Sequence, residues 1–468
     1  MRQLSATDML MLMLDSARTP NHMGPILICE PHRKSGDPVT FEEIYDGVAQ
    51  RLAQAPILRQ RLVTSPLGLD NPYWVDDPDF DLEYHVRQIG LPKPGGWKQL
   101  CDQIARLASR PLDLTRPPWE MYVIDRLDTI PGVPTDSFAL FIKIHHTAID
   151  GQEGVQLVNV LTTVDPDVSE SAASLAPWSP RPLPSRWNLL LRSVASLPQR
   201  PLAAANLLGR AVPALARAGI GMLTPSDDSK SVSVPFSRFS GRISAHRVAD
   251  AVTVPLATLK TARARVPGST INDVALAVVG GALRRYLLKH DELPDKSLAA
   301  AVPISTRANS DVGAGGNQID GTRVSLCTDI ADDVDRLGAI SAATKDIKTV
   351  RVGVSAGQLS ALSEVVPGQL LGTGLRAAAE LATKAKITTA GNCTVTNVPG
   401  PRVPLYFLGC KVLSCHGIGP IQDGMGLIHL ATSYCDDFTI SIVADRDMMP
   451  DMEFYTECIR DAYAGLAN

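Results

Sequence analysis

The residues best suited to chemistry are two adjacent histidines and an aspartate-glycine pair, in the run His145-His146-Thr147-Ala148-Ile149-Asp150-Gly151. A buried imidazole near its ordinary pKa can take a proton from a hydroxyl at neutral pH. The stretch before the pair, Phe138 to Ile144, is nearly all apolar and suits a strand buried on both faces. The stretch after it, Gln152 to Val164, places Val155, Val158 and Leu161 at helical spacing. Histidines where a buried strand gives way to a helix occupy the place where open α/β sheets bind ligands.

Neighbouring residues on a strand point to opposite faces, so His145 and His146 are poorly placed to share a metal ion. One ring can face a cavity while the other packs or holds backbone. Asp150 has three readings: a helix N-cap with Glu153 at capping-box spacing, a partner for a buried arginine that fixes the loop, or a direct participant in proton transfer. Gly151 removes a side chain where a substrate would approach the backbone. On spacing alone, a paired-histidine turn can equally be structural.

Two other patterns compete. Gly353-Val354-Ser355-Ala356-Gly357 matches the pentapeptide of serine hydrolases, which would make Ser355 a nucleophile and the protein a lipase or esterase. That elbow needs a buried strand before it, and Val334 to Val350 reads as a charged amphipathic helix instead. Cys410, Cys415 and His416 could form half of a metal site, but no second ligand pair has suitable spacing. The eight cysteines show no CxxC pair and read as free thiols.

The elements that must position the histidines belong to a 468-residue chain with 45% hydrophobic and 20% charged residues, ordinary globular values. At roughly 100–200 residues per domain this is two or three domains. A net charge of -4 implies no general attraction to nucleic acid. Strands are expected at Pro25–Glu30, Glu120–Ile124, Phe138–His145, Leu298–Ile304, Asn392–Asn397, Tyr406–Ser414, Gly426–Tyr434 and Phe438–Ala444. Helices are expected at Phe41–Leu52, Trp97–Ala108, Trp187–Leu197, Leu202–Leu223, Ile271–Leu287 and Val334–Val350. Strands mixed with helices throughout argue for α/β layers with mixed sheets.

Three regions follow: 1–170 with the histidine motif, a connection over 171–235, and 236–468. The connection is proline-rich at first, then helical. Between Ser171 and Ser226 it holds six arginines and no acid. It reads either as a basic amphipathic segment on an anionic lipid surface or as a crossover packed on the second half with its arginines solvated. Met9 to Leu14 is too short for a secretory core, and no run reaches the ~18 apolar residues of a membrane span. The expected location is cytoplasmic, with any membrane contact peripheral.

The histidine run resembles the HHxxxDG motif of CoA-dependent acyltransferases, which include chloramphenicol acetyltransferase and the condensation domains of peptide synthetases. The whole chain is similar to one branch, the bacterial wax ester synthase/diacylglycerol acyltransferases. The similarity runs through Leu4 to Asp8, Thr19 to Gly24, Trp74 to Asp81, Pro111 to Glu120, Ile271-Asn272-Asp273-Val274, Val302 to Arg307, Gly316-Asn317 and Asn397 to Pro401. Pro118 stands where the family's Pro-Leu-Trp block has leucine.

The resemblance implies two chloramphenicol-acetyltransferase-like halves with mixed sheets and a tunnel between them. It implies His146 as general base and Asp150 in a structural role, salt-bridged to an arginine, with Arg307 the candidate partner. Asn272 and Asp273 would shape the site from the other half. Asn272 either donates to the developing oxyanion or caps the helix before Val274. The implied reaction carries a long-chain acyl group from acyl-CoA, a substrate rather than a cofactor, to diacylglycerol or a long-chain alcohol. A donor held on a carrier protein, or a lipid-binding protein without catalysis, are the rival readings beside the Ser355 hydrolase.

Overall fold

The computed structural model describes residues 1–66, 70–149, 158–167, 178–196, 234–305, 319–346 and 391–467, and six residues between 377 and 386. Two six-stranded sheets dominate it. The first is built from β2 (His22–Arg33), β5 (Val86–Gly90), β6 (Trp119–Asp125), β7 (Phe138–His145), β12 (Tyr406–Phe407) and β13 (Cys410–Ile418), in the order β12-β13-β2-β7-β6-β5. The second contains β8 (Arg247–Pro255), β9 (Ala299–Ser305), β10 (Ile319–Ser325), β11 (Cys393–Val398), β14 (Leu427–Tyr434) and β15 (Asp437–Asp445), in the order β10-β9-β11-β14-β15-β8. Parallel pairs occur in both, β5 with β6 and β11 with β9 and β14, and the other pairs are antiparallel. These are the mixed sheets expected. A small three-stranded sheet joins β1 (Arg2–Gln3), β3 (Gln60–Val63) and β4 (Tyr73–Asp76).

The boundary at 236 does not separate the sheets. β12 and β13, far into the second half of the sequence, complete the first sheet by pairing with β2. The expected single strand over Tyr406–Ser414 is a hairpin instead. Leu408 and Gly409 both take positive φ (49° and 82°), as a two-residue turn of this hand requires. A leucine there is unusual; its carbonyl accepts from Arg33 Nε at 3.1 Å.

β7 runs as its composition dictates, every residue buried. Ala139 and Phe141 face one apolar cluster, while Phe138, Leu140, Ile142 and Ile144 face another. β2 lies close beside it: a Cβ on Gly24 would stand 1.7 Å from the Ile142 carbonyl oxygen, so only glycine allows this approach.

The helices flank these sheets. α1 (Ala6–Leu14) starts at Ser5, whose Oγ accepts from the Asp8 N–H at 3.1 Å. α2 (Phe41–Arg51), α3 (Leu82–His85) and α4 (Trp97–Ala108) follow in the first half, then α5 (Arg186–Ser196). α6 (Leu256–Ala264), α7 (Ile271–Lys289), α8 (Asp333–Asp346) and α9 (Met452–Ala467) belong to the second. Helical residues at 158–161 end before Thr163, which bridges to Tyr406, so the helix expected to reach Val164 stops short. The expected helix over Leu202–Leu223 lies outside the described residues. Among the described residues, no helix is long and apolar enough to cross a membrane.

The halves meet through side chains as well as the shared core. Arg18 forks onto Asp423, with Nη2 2.7 Å from Oδ2, and Trp97 Nε1 donates to Asp250 Oδ1 at 2.7 Å. Arg247 Nη2 donates to the Arg18 carbonyl at 2.7 Å, tying β8 to the chain just ahead of β2.

Candidate active site

His145 ends β7 and His146 opens the turn beyond it. The His145 N–H donates to the Pro118 carbonyl at 2.9 Å, and the His146 N–H donates to the Asn21 carbonyl at 3.0 Å. The turn therefore hangs from both neighbouring chains. His145 is 1% exposed and pairs across the sheet with His22, whereas His146 is partly exposed.

The His145 ring is locked. Its Nδ1 accepts from the Thr147 N–H at 3.2 Å and lies 2.9 Å from Thr147 Oγ1. A ring nitrogen that accepts from a backbone N–H carries no hydrogen, so the N–H sits on Nε2. Nε2 faces Asp15 Oδ2 at 3.5 Å. Asp15 Oδ1 accepts from the Asn21 N–H at 2.9 Å, and Asn21 Nδ2 donates to the Met11 carbonyl at 2.8 Å. One carboxylate thus faces the His145 ring and also holds Asn21, whose carbonyl accepts from the His146 N–H. His145 is buried and held by Thr147 in this geometry.

A buried ion pair lies below the turn. Lys143 Nζ is 2.8 Å from Glu120 Oε2, and the two side chains are 1% and 9% exposed. Tyr122 Oη donates to the same carboxylate at 2.8 Å. Burial pushes the Glu120 carboxyl up, but the Lys143 charge and the hydrogen bonds outweigh it and hold it below its ordinary value. Lys143 also donates to the Arg110 carbonyl at 3.1 Å, and His22 Nε2 lies 2.7 Å from the Ala108 carbonyl. A cation and a ring donor thereby satisfy carbonyls at the end of α4. Burial, reinforced by Lys143, drives the His22 imidazole well below its ordinary value and keeps it neutral.

In the other half, the expectation of an Asn272 cap is corrected. Thr270 is the N-cap of α7: its Oγ1 accepts from the Asp273 N–H at 3.1 Å, and Asp273 Oδ2 accepts from the Thr270 N–H at 2.7 Å. The cap falls two residues earlier because a threonine hydroxyl with an acid three positions on satisfies two orphan N–H groups at once. Asp273 Oδ1 also accepts from Thr344 Oγ1 at 2.8 Å, and the side chain is 2% exposed. Asp273 is occupied in holding α7 against α8. Asn272, in the first turn, is partly exposed.

Asp150, Gly151, Arg307 and Ser355 lie outside the described residues. Among the described residues, no group of three His, Cys, Asp or Glu side chains is arranged to hold a metal ion. The cysteine-histidine cluster read as half a site sits on β13, where His416 Nε2 lies 3.0 Å from Ser414 Oγ and its ring packs on Trp97.

Sequence reasoning missed Asp15, Asn21 and the Lys143–Glu120 pair. Lys143 carried a signal, being a lone cation inside an apolar strand run, which requires a buried partner. Asp15 carried none beyond ending an apolar stretch, since its contact with His145 spans 130 residues of chain.

Two lobes of mixed sheet with a paired-histidine turn at the end of a central strand define an acyltransferase-type architecture. The Marinobacter aquaeolei VT8 wax ester synthase/diacylglycerol acyltransferase shares the fold: TM-score 0.68, 24% identity, covering 100% of this chain and 98% of that one. The first condensation domain of the CDA synthetase shares the fold at TM-score 0.57 and 16% identity, covering 100% and 97%. Residues 4–275 match the wax ester synthase/diacylglycerol acyltransferase catalytic domain, and 315–467 match the C-terminal domain of the same family. A Mycobacterium tuberculosis protein provisionally named a diacylglycerol O-acyltransferase is 32% identical over 461 residues, 95% of this chain and 92% of its own length. The chain belongs to the wax ester synthase/diacylglycerol acyltransferase family.

Proposed function

We propose that this acyltransferase moves a long-chain acyl group from acyl-CoA to diacylglycerol, a long-chain alcohol, or both, with His146 as the general base. The observation that carries the reading is the contrast within the histidine pair. His145 is buried and locked, while His146 is partly exposed on a backbone pinned from two sides. A base needs that combination of access and fixed position.

His146 takes the acceptor's hydroxyl proton as that oxygen attacks the thioester carbonyl. The tetrahedral intermediate then expels the thiolate, which takes the proton back from the imidazolium. The products are an ester and free CoA, and the reaction uses no cofactor or covalent acyl-enzyme. General-base catalysis of this kind gives ~10²–10⁴-fold, and aligning both substrates lowers the barrier by up to ~7–11 kcal/mol. In this reading Asp150 pairs with Arg307 to fix the loop, and Gly151 lets substrate reach the backbone. Asn272 faces the developing oxyanion across a tunnel between the halves. The acceptor is a lipid, met at a membrane or lipid-droplet surface.

Incubating the purified protein with labelled palmitoyl-CoA and either hexadecanol or diolein, then resolving the lipids, tests the assignment. Labelled wax ester or triacylglycerol is expected. No ester from either acceptor, with transfer restored by an acyl group on a carrier protein, would move the donor assignment. Labelling of Ser355 by a fluorophosphonate would replace the mechanism with hydrolysis.

A further inference from the structure

α5 is turned the wrong way round for a surface helix. Trp187, Leu191 and Val194 are 73%, 64% and 48% exposed. At about 100° per residue their spacing gathers them into one stripe roughly 60° wide. The opposite side is small and carries the attachment. Leu189 is buried against Tyr73 and Val75 of β4, and Ser193 Oγ lies 2.5 Å from Ser65 Oγ. Just upstream, Arg181 forks onto Asp76 with Nε and Nη2 each 3.0 Å from a carboxylate oxygen, and its N–H donates to the same carboxylate at 3.1 Å. A strap of polar contacts thus fixes the helix in an orientation that its own hydrophobic residues would not choose in water. An amphipathic helix ordinarily buries its larger apolar face.

Charge decides what covers that stripe. Arg186 and Arg192 are exposed and lie on either flank of it. Residues 171–226 contain six arginines and no acid. A second copy of this chain meeting the same face symmetrically would set arginine against arginine. A tryptophan-bearing apolar stripe flanked by arginines matches a bilayer that carries anionic headgroups: the ring and aliphatic chains enter the headgroup–acyl boundary, and the guanidinium groups meet phosphates.

We propose that the outward face of α5 is a docking surface for an anionic lipid bilayer, entered by Trp187, Leu191 and Val194 and flanked by Arg186 and Arg192. This deepens the lipid-surface part of the proposed function by naming the face and its orientation.

The test is flotation of the full chain with vesicles of phosphatidylcholine alone, or of phosphatidylcholine mixed equally with phosphatidylglycerol. The wild type is expected to float with the mixed vesicles and far less with the neutral ones. Replacing Trp187, Leu191 and Val194 together by serine should weaken binding at least ~10-fold with an unchanged thermal midpoint, because the three side chains are exposed. Arg186→Gln with Arg192→Gln should weaken binding to the mixed vesicles only, and less so at high salt. A triple variant that floats like the wild type overturns the proposal. So does a wild type that floats with neither vesicle, or a solution dimer that the triple substitution dissociates. Transfer from a medium-chain acyl-CoA to a water-soluble alcohol should be equal in wild type and triple variant. Its absence from both, with flotation intact, would count against the acyl-transfer reading and not against the docking face.

Discussion

The histidine turn and the start of α7 carry two motifs of the same family, and they are supported in opposite ways. At the histidine turn the His146 backbone is held from outside the motif, by the Asn21 carbonyl, and Asp15 faces the His145 ring that Thr147 locks. At α7 the motif's own acid is consumed, since Asp273 closes the cap on Thr270 and reaches Thr344. The difference teaches that a motif residue's type does not reveal its work. His146 is left accessible because others carry the structure, whereas Asp273 carries the structure itself and leaves accessibility to Asn272.

The comparison breaks most visibly at Lys143. Lys143→Met leaves Glu120 buried without its cation and should destabilise the protein by ~3–5 kcal/mol, read by chemical denaturation. Adding Glu120→Leu should restore most of that loss. If Lys143→Met alone is neutral, the pair does not support the end of β7.

Asp15→Asn comes next. It keeps the shape of the side chain but removes the charge facing His145 Nε2. Turnover should fall by up to ~100-fold, with KM and the unfolding midpoint little changed and the pH–rate profile displaced. A loss of stability without a change in that profile would make Asp15 merely structural.

At α7 the expected effects are smaller and of the other kind. Asp273→Ala removes a capping box and the bond from Thr344 and should lower stability by ~1–2 kcal/mol. Asn272→Ala should change stability by less than ~0.5 kcal/mol while lowering kcat more than it raises KM. Equal stability losses at both positions would erase the contrast.

Much of this was legible in the sequence. The strand Phe138–His145 and the helix Trp97–Ala108 have the bounds their patterns predict, because an unbroken apolar run and a helical apolar stripe leave little choice. The histidine pair stood out by residue type. The partners of that pair did not, because Asp15 and Asn21 act through tertiary contacts that no local pattern encodes. The same limit applies to β13, whose alternation marks a strand but not the sheet it joins. The turn at Leu408 was hidden because leucine does not advertise a positive φ. At α7, Thr270 and Asp273 had capping-box spacing, which was visible but lost to the attraction of Asn272 beside them.

The central claim is that the partly exposed imidazole of residue 146 removes the acceptor's proton. Turnover of His146→Ala, with palmitoyl-CoA and the acceptor the wild type prefers, tests it most directly once an unchanged thermal midpoint shows the fold intact. Loss of at least ~10²-fold in kcat, with acyl-CoA still bound, is the predicted result. Wild-type turnover from the folded variant would contradict the account.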